Sequence, residues 1–195
     1  MKFLKTLSLS AMLLVVSVGL TSHAHAQSPI KFGITGGANI ANLNDSDLNT
    51  DPKVGFTGGI YSRFKIPASP MSIQPEVLFS QKGAEGDDIS ATLNYIEIPV
   101  LARFGFILDG PVTPNVYFGP YVGFNTKAEG EGPNIAFNIE DAVNKTDAGV
   151  VIGADVQITR FTIGGRYSAG LVEVFEDDDA TAKNGVFSVM VGVSF

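Results

Sequence analysis

Eight stretches of this chain alternate apolar residues with small or polar ones. They lie at 30–41, 53–66, 71–82, 93–106, 115–126, 147–158, 160–172 and 185–195. A period of two is the signature of a strand with one face in an apolar phase, and no stretch after the first 26 residues reads as a helix of useful length. In the sixth, Ala148, Val150, Ile152, Ala154, Val156 and Ile158 oppose Asp147, Gly149, Val151, Gly153, Asp155 and Gln157. In the fourth, Ile96, Ile98, Val100, Ala102, Phe104 and Phe106 oppose Tyr95, Glu97, Pro99, Leu101, Arg103 and Gly105. Each stretch is about as long as a tilted membrane strand, roughly ten residues. An even number of them, joined by alternately short and long links, predicts an all-β fold: an eight-stranded antiparallel barrel in up-and-down meander order.

Alternation alone leaves open which face is inside, because a soluble barrel turns its apolar face inward and a membrane barrel turns it out to lipid. Three features favour lipid. The face opposite the aliphatic one carries Arg63, Glu76, Glu97, Arg103, Asp155 and Arg166 at mid-strand. On a lipid surface each Arg would cost about 2–4 kcal/mol at the midplane, whereas in a narrow lumen such charges can pair. Glycines crowd that same face and leave room for long polar side chains. Finally, the phenylalanines sort into two rings. Phe32, Phe64, Phe106, Phe161 and Phe195 fall at strand ends beside short turns or a terminus, and Phe56, Phe79, Phe124 and Phe187 at ends beside long loops. That is the aromatic girdle of a transmembrane barrel. Closure follows, since open edges in hydrocarbon would leave backbone groups unpaired. Pro75, Pro99 and Pro120 interrupt three strands and predict local bulges.

Both termini fit an exported protein. Lys2 and Lys5 precede an apolar run from Leu7 to Leu20, too short for an ordinary span, and Ala24-His25-Ala26 supplies a small-x-small cleavage pattern. Residues 1–26 are therefore predicted to be a cleaved signal peptide and residues 27–195 one barrel domain. Both histidines, His23 and His25, leave with the signal, and the chain has no Cys or Trp. This argues against imidazole general acid–base chemistry, thiol nucleophiles and His/Cys zinc sites. No cofactor is expected. At the other end, Phe187, Val189, Val191, Val193 and Phe195 share one face, and the last strand looks like the terminal strand of an outer-membrane barrel, with Phe195 as its barrel-assembly signal.

The long loops at 42–52, 83–92, 127–146 and 173–184 hold most of the acidic residues, and the pI is about 4.7. Such a rim disfavours nucleic acid. Asp177, Asp178 and Asp179 are candidate calcium ligands, but they lack the alternate spacing and glycine of an EF-hand loop, so no metal site is assigned.

Several stretches carry a resemblance. They are Gly33-Ile34-Thr35-Gly36-Gly37-Ala38-Asn39, Gln74-Pro75-Glu76-Val77-Leu78-Phe79-Ser80-Gln81-Lys82-Gly83, Tyr95-Ile96-Glu97-Ile98-Pro99-Val100-Leu101-Ala102-Arg103-Phe104, Tyr117-Phe118-Gly119-Pro120-Tyr121-Val122-Gly123 and Arg166-Tyr167-Ser168-Ala169-Gly170-Leu171. In order and spacing the chain resembles the outer membrane β-barrel domain family, the small PorT-like or "porin family" proteins of Bacteroidota-type bacteria. The resemblance implies tolerance of prolines at these three positions and brings no catalytic motif.

The expectation is then a small barrel of the cell outer membrane of a Gram-negative bacterium. Its role is structural, assembly-associated or interaction-based, and its lumen is polar and closed. Arg103 with Glu97, and Arg166 with Asp155, are the pairs favoured from sequence. A narrow pore for small solutes or ions is the alternative. A lipid-modifying enzyme or protease is disfavoured by the missing histidine. The expected partners are outer-membrane lipid, the barrel-assembly machinery during biogenesis, and a protein at the outward loops or periplasmic turns. Nothing in the sequence sets an oligomeric state.

Overall fold

The computed structural model describes residues 29–44, 51–85, 90–106, 110–132, 135–138, 143–174 and 183–195. The predicted signal peptide and the Asp177–Asp179 run lie outside them. Eight antiparallel strands close into a barrel: β1 (Ile30–Asn44), β2 (Asp51–Lys65), β3 (Met71–Glu85), β4 (Ser90–Gly105), β5 (Val112–Gly132), β7 (Thr146–Ile158), β8 (Phe161–Glu173) and β9 (Lys183–Ser194). Consecutive strands pair, and β1 pairs with β9 to complete the ring. Among the described residues a short strand, β6 (Ile135–Asn138), pairs with the far end of β5 alone.

The register fixes the barrel's shape. A path from Ile30 across directly opposed residues runs through Phe64, Ile73, Ala102, Phe118, Ile152, Tyr167 and Phe187. It returns to β1 at Ile40, ten residues from its start. Eight strands with that stagger tilt by about 41° and climb roughly 2.5 Å along the axis per residue. Phe56 and Phe64, eight residues apart on β2, are therefore about 20 Å apart in height, close to the apolar band of a transmembrane barrel.

Every residue on that path is on the outer face. Phe32, Phe64, Phe106, Phe161 and Phe195 ring the turn end, and Phe56, Phe79, Phe124 and Phe187 the loop end. Between them the outer face carries aliphatic residues such as Ile34, Ile60, Val100, Val122, Ile152 and Val191, all exposed in the isolated chain. Phe118 and Tyr167 are also outward, and Phe118 stacks on Phe104 with centroids 6.1 Å apart.

Two sequence expectations change. The strands run past their predicted ends toward the loops, most of all β5, which continues to Gly132 through the segment assigned to a loop. There both faces carry small or polar residues, so the alternation fades although backbone pairing continues. The prolines also do not bulge. The registers run unchanged through Pro75, Pro99 and Pro120, and the shifts fall instead between Pro52 and Thr57, at Asn94/Tyr95 and between Ala169 and Glu173. A proline removes one ladder donor, whereas a bulge needs an extra residue.

Candidate functional site in the barrel lumen

Glycines set the lumen's shape. Gly33 opposes Tyr61, Gly153 opposes Tyr117 and Gly149 opposes Tyr121 on neighbouring strands. Each tyrosine ring lies over its glycine, and a Cβ on Gly153 would come within 2.5 Å of the Tyr117 ring. Large rings thus lie along the wall instead of blocking the bore. Asn39 uses the same device. Its neighbour on β2 is Gly55, and its amide passes over to donate to Ser80 Oγ (3.1 Å) and the Gln81 carbonyl (3.0 Å) on β3.

The structure places Arg63, Glu76, Glu97, Arg103, Asp155 and Arg166 on the inner face, all buried. They form two levels. At the turn-end level, Arg103 Nη2 donates to Asp155 Oδ2 (2.6 Å), whose Oδ1 accepts from Asn115 Nδ2 (2.9 Å). Arg166 Nη1 donates to Glu76 Oε2 (2.9 Å), whose Oε1 accepts from Gln74 Nε2 (2.6 Å). Arg63 donates to two neutral amide oxygens, Gln74 Oε1 (2.7 Å) and Gln157 Oε1 (2.6 Å). At the loop-end level, Lys82 Nζ lies 2.6 Å from Glu97 Oε1 and 3.0 Å from Asp147 Oδ2. That Asp147 oxygen also accepts from Tyr121 Oη (3.1 Å) and Asn184 Nδ2 (3.0 Å).

The cations also sit over the tyrosine rings. Arg103 is 4.7 Å from the Tyr117 centroid and Arg63 5.4 Å from that of Tyr61, while Lys82 is 4.9 and 5.0 Å from Tyr95 and Tyr121. Such contacts strengthen when desolvated, to about 2 kcal/mol.

The pairs differ from those favoured from sequence. Arg103 takes Asp155 in place of Glu97, and Arg166 takes Glu76 in place of Asp155. In the ring order, β8 stands diametrically opposite β3, so the Arg166–Glu76 pair spans the full bore. Side chains as long as these reach the far wall in so narrow a barrel, which strand adjacency does not anticipate. Lys82 stands outside the predicted charge network, although it is in phase with Glu76 on β3 and that parity points it inward.

Between the levels lies an apolar layer in which Leu101 and Val151 pack with Tyr117 and Tyr121. Above the loop-end level a second cluster joins Ala84, Leu93 and Tyr95 to Ala128, Val143 and Val174. The segment that carries Val143 is held to the end of β8 by Asn144, whose N–H donates to the Val174 carbonyl (2.8 Å) and whose Nδ2 donates to that of Glu173 (2.9 Å). Among the described residues, no group of three acidic side chains is arranged to hold a metal ion.

Solved structures with the same barrel include Neisserial surface protein A and a major outer membrane protein from Thermus thermophilus. The first is 17% identical, with 84% of this chain and 97% of that chain covered and a TM-score of 0.55. The second is 13% identical, with 88% and 100% covered and a TM-score of 0.52. At such identities the likeness speaks for the fold alone. No curated protein matches the sequence. The family described as "Outer membrane protein beta-barrel domain" matches residues 25–176, well over half of the chain. With a closed eight-stranded wall, an apolar outer face and a charged interior beside that match, the chain belongs to the outer membrane protein beta-barrel domain family, and its place is the outer membrane.

Proposed function

We propose that this protein is a non-conducting, non-enzymatic barrel of the outer membrane with a structural, assembly-associated or interaction role. The short turns face the periplasm and the acidic loop end faces outward, the usual arrangement of such barrels. The observation that carries the reading is the filling of the lumen: two levels of buried ion pairs, one of them spanning the bore, separated and capped by apolar layers. An eight-stranded barrel is just wide enough for side chains to fill it. Breaking one of these buried pairs to admit ions would expose an uncompensated charge, at roughly 3–5 kcal/mol.

The inner carboxylates argue in the same direction against catalysis. Asp155, Glu76 and Asp147 are each engaged by a cation and by at least one further donor. Lys53 Nζ is bound to Ser90 Oγ (2.6 Å) and Thr92 Oγ1 (2.7 Å) on the loop-end wall, away from these carboxylates. The stretches quoted above support a PorT-like, porin-family membership within the broader family, and the pattern at residues 2–26 supports a cleaved leader.

Single-channel recording of the refolded barrel in a planar bilayer tests the proposal, with Arg103→Ala alongside. A silent bilayer containing folded, heat-modifiable protein is the expected result. Stable openings that change in the variant would replace it with a narrow charged pore.

A further inference from the structure

The turn-end level of the lumen does not balance its charge. Three guanidinium groups, Arg63, Arg103 and Arg166, line one cavity with two carboxylates, Glu76 and Asp155. The carboxylates are taken by Arg166 and Arg103. Among the described residues Arg63 has no carboxylate, only the amide oxygens of Gln74 and Gln157. Lys31, opposite Arg63 in the β1–β2 register, and Lys65 at the end of β2 add positive charge at the turn-end mouth. The other titratable groups lining the cavity are Tyr61 and Tyr117.

Hydrogen bonding is unbalanced in the same sense. Arg103 Nε and Arg166 Nε are buried and have no protein acceptor, on side chains 3% and 5% exposed. An arginine Nε–H can only donate. Two spare donors and one excess positive charge call for an occupant that accepts hydrogen bonds and carries negative charge. Water satisfies the first need and leaves the second, and burial of an unpaired charge is costly. The cavity measures about 30 Å³. At about 10–15 Å³ for each water-sized particle, that holds a small anion together with one or two waters.

We propose that the turn-end lumen is a binding site for a single halide ion, chloride under physiological conditions, held among Arg63, Arg103 and Arg166 and reached from the Lys31/Lys65 mouth. The site goes beyond the role proposed above and does not depend on it, since a bound anion is compatible with a silent or a conducting barrel.

Crystals of the refolded barrel soaked in sodium bromide test the proposal directly. An anomalous peak within hydrogen-bond distance of Arg103 Nε and Arg166 Nε is the expected result, and a lumen without bromide overturns the assignment. In solution, the urea midpoint of the wild type should be higher in chloride than in gluconate at the same ionic strength. Arg63→Gln removes the excess charge and should abolish that dependence, while Lys53→Gln at the loop end should retain it. Equal midpoints in chloride and gluconate for the wild type would also refute the site. Should Arg63→Gln fail to fold, the wild-type bromide map decides.

Discussion

Lys82→Met should be among the most damaging single substitutions in this barrel. The lysine is 1% exposed, and its ammonium is shared between Glu97 and Asp147, themselves 7% and 4% exposed. Removing it leaves two buried carboxylates without their cation, on strands β4 and β7 either side of Gly123 in β5, and breaking a buried pair in this way costs about 3–5 kcal/mol. Loss of the contacts with the Tyr95 and Tyr121 rings acts in the same direction. The triple variant Lys82→Met/Glu97→Gln/Asp147→Asn removes the stranded charges while keeping acceptors for Tyr121 and Asn184. It should therefore recover more than half of the loss, because replacing a whole buried ionic group is often neutral. Urea titration in phosphatidylcholine vesicles, read by the gel mobility of folded and unfolded forms, supplies the free energies. A Lys82→Met cost under about 1 kcal/mol, or a triple variant no more stable than the single one, would refute the idea that charge compensation holds this level together.

The outer face and the glycine seats give two further tests. Ile152→Arg, on an outward side chain at mid-height, should cost about 2–4 kcal/mol in lipid, while Val54→Arg, beyond the Phe56 girdle, should cost about 0–1. Equal costs in vesicle unfolding would contradict the assigned apolar band. Gly153→Ala should lose about 1–3 kcal/mol by forcing the Tyr117 ring off its seat. Tyr117→Leu in the same background should suppress that loss, and simple additivity of the two changes would show that the seat does not matter.

Much of the wall was legible because lipid imposes a rule on every residue: outward side chains must be apolar and the backbone must pair. Parity along β4 and β7 therefore identifies the inner face, and the Phe56/Phe64 spacing sets the height of the band. Parity says which face Arg103 or Arg166 occupies and nothing of its partner. The partner depends on the ten-residue stagger and on reach across the bore, both of which emerge only when the strands are assembled. Lys82 shows the other limit. It lies near the loop-end boundary of β3, where Gln81 and Gly83 no longer provide an apolar contrast and an inner residue reads like the start of a loop. The tyrosine seats fall in the same class, since Gly153 alone could have meant a bulge, a turn or a packing contact.

The small core formed by Ala84, Leu93, Tyr95, Ala128, Val143 and Val174 lies at the loop end, where extensions of β3, β4 and β5 meet the segments just before β7 and just after β8. A segment with its own packing does not rely on the bilayer to hold its form. The β5–β6 ladder continues directly from Ala128 of this core, so its backbone starts from a support that is set before any lipid is present. Changes of sequence at the loop tips can then leave the membrane-embedded wall and its folding free energy nearly the same.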